Sequence, residues 1–219
     1  MPHLKSTIEF HVPEPTLRRL PWYLAFAKLA LQQGESFLSS THIAKSIAVD
    51  ASMVAKDLSF VKISGRTRVG YDVNELVAVL EHFLGFTDSH QAYLFGVGNL
   101  GGALMHDNGL QQFGMEIKAG FDVKHELTGT SINHIPIHHI DKFAELQQQT
   151  GIHIGILTVP VDQAQEVSDI MVKGGIKAIW NFTPYRIVVP ENVIVQNTSI
   201  YAHLAVMYNR LNALKEFDL

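Results

Sequence analysis

Residues 96–101 read Gly-Val-Gly-Asn-Leu-Gly, and the apolar run Ala92-Tyr93-Leu94-Phe95 stands directly before them. Three glycines at that spacing let a chain leave a strand, turn tightly and enter a helix whose first amides face an anion. The chemistry on offer is the grip of a phosphate by backbone N–H groups. Gly96, Val97, Gly98, Asn99, Leu100 and Gly101 are the candidates for that grip. The next strand-like run ends in Asp122, with Val123 beside it. A carboxylate there accepts hydrogen bonds from the hydroxyls of an adenosine ribose and repels a 2′-phosphate, so NADH or NAD+ is the expected ligand.

Two later apolar runs end in polar turns. Leu157-Thr158-Val159-Pro160 and Asn181-Phe182-Thr183-Pro184 place Thr158, Pro160, Asn181 and Thr183 where sheets of this kind bind ligands, at the carboxyl ends of strands. Such groups suit a ribose or a nicotinamide amide. Turn chemistry alone accounts for the same residues equally well.

To gather these positions at one edge, the chain needs a parallel sheet. The pattern predicts strands at 92–97, 115–121, 152–159 and 176–182, a shorter one near 187–189, and helices at 100–110, 141–149 and 162–173. That alternation reads as an α/β domain, a Rossmann-like parallel-sheet unit covered on both faces, over residues 86–199.

Residues 1–85 follow another pattern. Leu17, Leu20, Leu24, Ala27 and Leu31 recur at helical spacing, and Gly34 stands at the expected stop. Ser39-Ser40 precede a short helix with Ile43, Ala44 and Ile47. Asp50 is placed to cap a third, with Val54, Leu58 and Val61 inward. This is a helix-turn-helix arrangement. Gly65 and Gly70 bracket Arg66 and Arg68 in a segment suited to a β-hairpin wing, and Asp72-Val-Asn-Glu75 resembles a capping box. The third helix would present Ser52, Met53, Lys56 and Ser59 to base edges, with Arg66 and Arg68 on phosphate or in the minor groove. A small helical domain with solvated lysines is the plainer alternative.

Composition narrows the classes. These first 85 residues hold nine Lys and Arg against eight Asp and Glu, so any polyanion must be gripped by a local patch. Lys56, Lys62, Arg66 and Arg68, with Asp57 as the one acid among them, form such a patch. Cysteine is absent, which excludes disulfides and thiolate chemistry. Twelve histidines raise the question of a metal, chiefly at His134, His138 and His139. Adjacent His138 and His139 point to opposite faces of an extended segment, so these read as strand and loop surface residues and no metal is expected. No paired carboxylates or positioned proton donor stand near the expected sheet edge, which argues against an enzyme. A Rossmann dehydrogenase and a CoA-binding regulator stay open as alternatives. The opening residues, MPHLKSTIEFHVPEP, hold no apolar leader, and the longest apolar stretch, 20–31, carries Lys28 and is too short to span a bilayer. A cytoplasmic protein is expected.

In this order, several motifs resemble the Rex family of redox-sensing transcriptional repressors. They are RLPWYL (19–24), Lys56-Asp57-Leu58-Ser59, VGYDV (69–73), GVGNLGGAL (96–104), FDV (121–123), HID (139–141), ILTVPVDQAQEV (156–167), NFTP (181–184) and VP (189–190). The resemblance implies an N-terminal winged helix, a Rossmann domain for NADH or NAD+, and a C-terminal helix swapped within a homodimer. It implies a repressor that senses the NADH/NAD+ ratio and leaves double-stranded operator DNA on binding NADH. Here that helix would be 200–219, with Ile200, Leu204, Met207, Tyr208 and Leu211 on one apolar stripe and Ile200 brought near the nicotinamide.

The departures fall in functional places. Where the family's recognition helix usually reads Gln-Val-Arg-Lys-Asp-Leu, this chain reads Met53-Val54-Ala55-Lys56-Asp57-Leu58, and its wing reads Gly65-Arg66-Thr67-Arg68 where Gly-Lys-Arg-Gly is usual. The family's interdomain relay of arginine, tyrosine and aspartate corresponds to Arg19, Asp107 and Ser199. An Arg19–Asp107 pair with Ser199 as third member is expected from it.

Overall fold

A computed structural model describes residues 12–217; residues 1–11, which hold most of the stretch without an apolar leader, and residues 218–219 lie outside it. The chain divides into two compact units, 1–88 and 89–219.

The first unit is built on α1 (Glu14–Gln32), which buries Leu20, Tyr23, Leu24, Ala27 and Ala30 at helical spacing. β1 (Phe37–Leu38), α2 (Ser40–Ile47), α3 (Ala51–Phe60), β2 (Tyr71–Asp72) and α4 (Val73–Phe83) follow. Ser39 caps α2 by accepting the His42 N–H at 3.1 Å, and Asp72 caps α4 by accepting the Glu75 N–H at 3.1 Å. Asp50 precedes α3 in the extended conformation of a cap, but its side chain makes no capping bond. The expected wing hairpin is reduced to one bridge between Arg66 and Gly70, which exchange backbone bonds of 2.8 and 2.9 Å. The strand after it, β2, pairs back with β1 instead.

The second unit carries β3 (His90–Phe95), α5 (Asn99–His106), α6 (Gly109–Gln112), β4 (Met115–Asp122), β5 (Ser131–Ile132), β6 (Ile135–His139), α7 (Phe143–Thr150), β7 (Ile154–Leu157), α8 (Ala164–Lys173), β8 (Ala178–Asn181), β9 (Ile194–Asn197) and α9 (Ile200–Phe217). Its sheet runs β5-β6-β4-β3-β7-β8-β9, with every pair parallel except β5 with β6. From β3 the chain builds outward through β4 and β6, then crosses back to add β7 on the other side. The carboxyl end of β3 is therefore a topological switch point, where a crevice opens. Tyr93, Phe95, Phe121 and Phe143 pack as an aromatic cluster on one face, and Leu94, Ile117, Ile137 and Ile156 on the other.

Two expectations change here. Residues 187–189 form no strand, because the side-chain amide of Gln165 bonds both the N–H and the C=O of Val188, at 2.9 and 2.8 Å, in a neighbour strand's place. The edge strand is β9. The helix expected over 100–110 breaks at Asp107, whose carboxylate accepts the Gly109 N–H at 2.8 Å and starts α6 afresh.

Candidate functional site

Gly96 ends β3 at φ +95°, a conformation open to glycine, and a Cβ there would press on the Thr158 carbonyl. Gly101 sits so close behind the turn that a Cβ would fall on the Gly96 carbonyl oxygen. Gly98 differs, since a Cβ on it would meet no atom within 4 Å. The three glycines thus bend the chain, leave room above it and pack the helix beneath it. No side chain caps α5 at Gly98, so its first-turn amides carry the free positive end of the helix.

Asp122 ends β4 beside this turn. Its Oδ2 accepts the Val97 N–H at 2.7 Å and its Oδ1 accepts the Lys124 N–H at 2.9 Å. Each carboxylate oxygen retains capacity for a further donor. Thr158, at the end of β7, donates its hydroxyl to the Gly96 carbonyl at 2.8 Å. These groups border a cleft of about 410 Å³, lined by Gly96, Gly98, Asp122, Val123, Thr158 and Pro160 of the expected residues. Phe95, Phe121, Lys124, Ile140, Val159, Gln163 and Val167 complete it. The apolar members carry no signal in the sequence beyond that of core residues.

Asn181 and Thr183 stand elsewhere. Both are buried, and Asn181 donates to the Tyr185 carbonyl and to Asn197 while accepting the N–H and hydroxyl of Thr183 at 2.9 and 2.7 Å. Their polar atoms hold the loop after β8 against β9, and neither lines the cleft. Ile200 begins α9 with its side chain exposed.

In the first unit, α3 buries Val54, Asp57 and Leu58 and exposes Ser52, Met53, Lys56 and Ser59 on the opposite side. The Ser59 hydroxyl bonds back to the Lys56 carbonyl at 2.6 Å. Arg66 lies over the Phe37 ring at 5.2 Å, and Arg68 sits exposed at the turn's tip with φ +64°. Asp57 does not offset the basic patch. Its carboxylate points inward and takes Arg19 Nε at 2.6 Å, Arg19 Nη2 at 2.8 Å, the Tyr23 hydroxyl at 2.6 Å and the Thr16 hydroxyl at 2.8 Å. Burial pushes this carboxyl up, but the bonds from Arg19, Tyr23 and Thr16 and the Arg19 charge outweigh it and hold it below the usual carboxylate range. Burial and the Asp57 bond push the Tyr23 phenol well up.

Residues 87–185 match the family model "CoA binding domain", and residues 11–59 match "Putative DNA-binding protein N-terminus". The chain is 65% identical over 201 residues to the redox-sensing transcriptional repressor Rex of Bacteroides fragilis, a match covering 92% of this chain and 91% of that protein. It is 58% identical over 209 residues to Rex of Porphyromonas gingivalis, covering 95% and 96%. The chain belongs to the Rex family. Membership makes it a transcriptional regulator and not an enzyme. Among solved structures it resembles RSP, a Rex-family repressor: the complex with β-NAD+ and operator DNA has a TM-score of 0.88 at 32% identity, covering 94% of this chain and 95% of that one. The RSP complex with β-NADH has a TM-score of 0.85, covering 94% and 97%.

In this Rex-family chain the three relay candidates have local partners. Within the first unit Arg19 gives two bonds to Asp57, a buried carboxylate on the neighbouring helix that meets its fork. Asp107 starts α6, and the Ser199 hydroxyl accepts the Ala202 N–H at 3.2 Å to open α9. His139 Nδ1 lies 3.0 Å from Asp141 and its ring stacks on His125, and His138 lies beside Phe121.

Proposed function

We propose that this Rex-family chain is a repressor that binds NADH or NAD+ in the cleft of its second unit and operator DNA through its first, and that NADH releases the DNA. The observation that carries the reading is the Asp122 carboxylate beside an uncapped glycine turn with open space over Gly98. The residues fit a dinucleotide. The amides from Gly98 to Gly101 suit a pyrophosphate, Asp122 suits unphosphorylated ribose hydroxyls, and Val123 and Pro160 supply apolar flanks. When bound, the nicotinamide supplies a change of charge and ring shape between its two oxidation states, and the protein performs no hydride transfer. Asp122 favours NAD(H) over CoA, and RSP, at 32% identity, has been solved with β-NAD+ and operator DNA and with β-NADH.

DNA binding falls to the exposed side of α3, with Ser52, Met53, Lys56 and Ser59, and to Arg66 and Arg68. The working form is a homodimer through α9. Met207, Tyr208, Leu211 and Leu214 are each about half exposed on that helix, between 49 and 63%, a stripe that a second copy would cover. Ile200 then approaches the partner's nicotinamide. No helix among the described residues is long and apolar enough to cross a membrane. A cytoplasmic location suits a DNA partner.

Selection of random duplexes on the protein tests the reading. A two-fold symmetric sequence enriched with NAD+ and lost with NADH supports it. No enrichment, with CoA bound in place of NADH, would favour the CoA-binding regulator.

A further inference from the structure

Thr16, Arg19 and Tyr23 lie three and four residues apart on α1, so their side chains share one face of that helix. Opposite them stands Asp57, 1% exposed, in the middle of the buried side of α3, between Val54 and the Leu58–Val61 pair. Four donor bonds converge on its two oxygens. Oδ1 takes Thr16 and Arg19 Nη2, and Oδ2 takes Arg19 Nε and Tyr23, so the plane of the carboxylate is fixed from both sides.

Apolar contacts such as those of Val54 and Leu58 are non-directional and tolerate small rotations of a helix about its axis. A carboxylate held by a planar guanidinium does not, since both parallel bonds need one orientation. The residue before Asp57 is Lys56, and one turn to either side lie Met53 and Ser59 of the exposed face. Fixing Asp57 therefore fixes the angle at which these side chains leave the helix.

We infer that Asp57 is a positioning residue for sequence recognition: clamped by Arg19, Tyr23 and Thr16 of α1, it sets the rotation of α3 and so the register of its exposed side chains on base edges. Nothing in this role touches DNA. It acts on direct base readout, which depends on angle, and leaves the attraction to phosphates in place. A buried ion pair that specifies geometry is the use for which such pairs are best attested.

The inference rests on α3 being the DNA-reading helix, and the test separates the two. The full-length protein, its Asp57→Asn variant and its Tyr23→Phe variant are titrated with an operator selected on the unsubstituted protein and with a scrambled duplex of equal length. Far-ultraviolet circular dichroism and thermal unfolding confirm that each variant is folded at the assay temperature. Asp57→Asn is expected to weaken operator binding about tenfold, the size of a charge-assisted bond, with scrambled-duplex affinity and salt slope unchanged. Tyr23→Phe, which deletes one hydroxyl, should lower the operator-to-scrambled ratio about threefold. Arg68→Ala, by contrast, should weaken both duplexes and reduce the salt slope. An unchanged ratio in a folded Asp57→Asn protein overturns the inference; if that variant does not fold, an unchanged ratio in Tyr23→Phe overturns it. Failure of the unsubstituted protein to bind any duplex overturns the DNA reading itself.

Discussion

The Oδ2 of Asp122 accepts the backbone N–H of Val97 at 2.7 Å, so the acid that ends β4 is built into the glycine turn that ends β3. One carboxylate therefore shapes the turn and faces the cleft. Asp122→Ala should lower NADH affinity roughly tenfold or more, since a charged acceptor is lost, and should narrow the preference for NADH over NADPH. Fluorescence titration with both nucleotides checks this. Equal affinity for the two in the unsubstituted protein would contradict the role given to Asp122.

Gly98 and Gly101 should fail in different ways. A methyl on Gly101 runs into the Gly96 carbonyl, so Gly101→Ala should lower thermal stability, by roughly 1–3 kcal/mol for an overpacked site. A methyl on Gly98 meets no protein atom within 4 Å, so Gly98→Ala should melt like the unsubstituted protein while losing nucleotide affinity. A nucleotide-binding Gly98→Ala protein would place the phosphates elsewhere.

Acid should loosen the first unit through Asp57. Its carboxyl is held below the usual range in the folded protein, so the unfolded chain binds the proton more readily. The stability it contributes is present above the ordinary carboxylate pKa of about 3.9 and is lost as pH falls through the lower folded value. Unfolding followed between pH 6 and 3 should therefore show a smaller acid dependence in Asp57→Asn than in the unsubstituted protein. Identical pH profiles would remove Asp57 from that role.

The parallel sheet, the glycine turn and Asp122 were legible because period and spacing are local properties. The bonds between Arg19 and Asp57 were not. Asp57 looked like a surface acid in a basic patch, and its burial depends on how α1 lies on α3, a tertiary fact. The edge strand was missed for a related reason. Ile194–Asn197 is largely exposed and lacks a strong apolar pattern, whereas the apolar Ile187 to Val189 sit in a loop that Gln165 holds in place. Asn181 and Thr183 read as binding groups or as turn residues, and their bonds to one another favour the turn.

Salt should reveal how many cations grip DNA. Alanine at Lys56 or Arg68 should each reduce the slope of log affinity against log salt by about one. Arg66, poised over Phe37 at 5.2 Å, should do the same if it reaches a phosphate. A slope unaffected by all three substitutions would move the DNA contact away from α3 and the turn.

The most direct measurement follows a labelled operator duplex by fluorescence anisotropy as NADH or NAD+ is added to its complex with the full-length protein. NADH should dissociate the complex while NAD+ leaves it bound, and the operator should weaken NADH binding by the same factor, as linkage requires. A complex indifferent to both nucleotides would contradict the account.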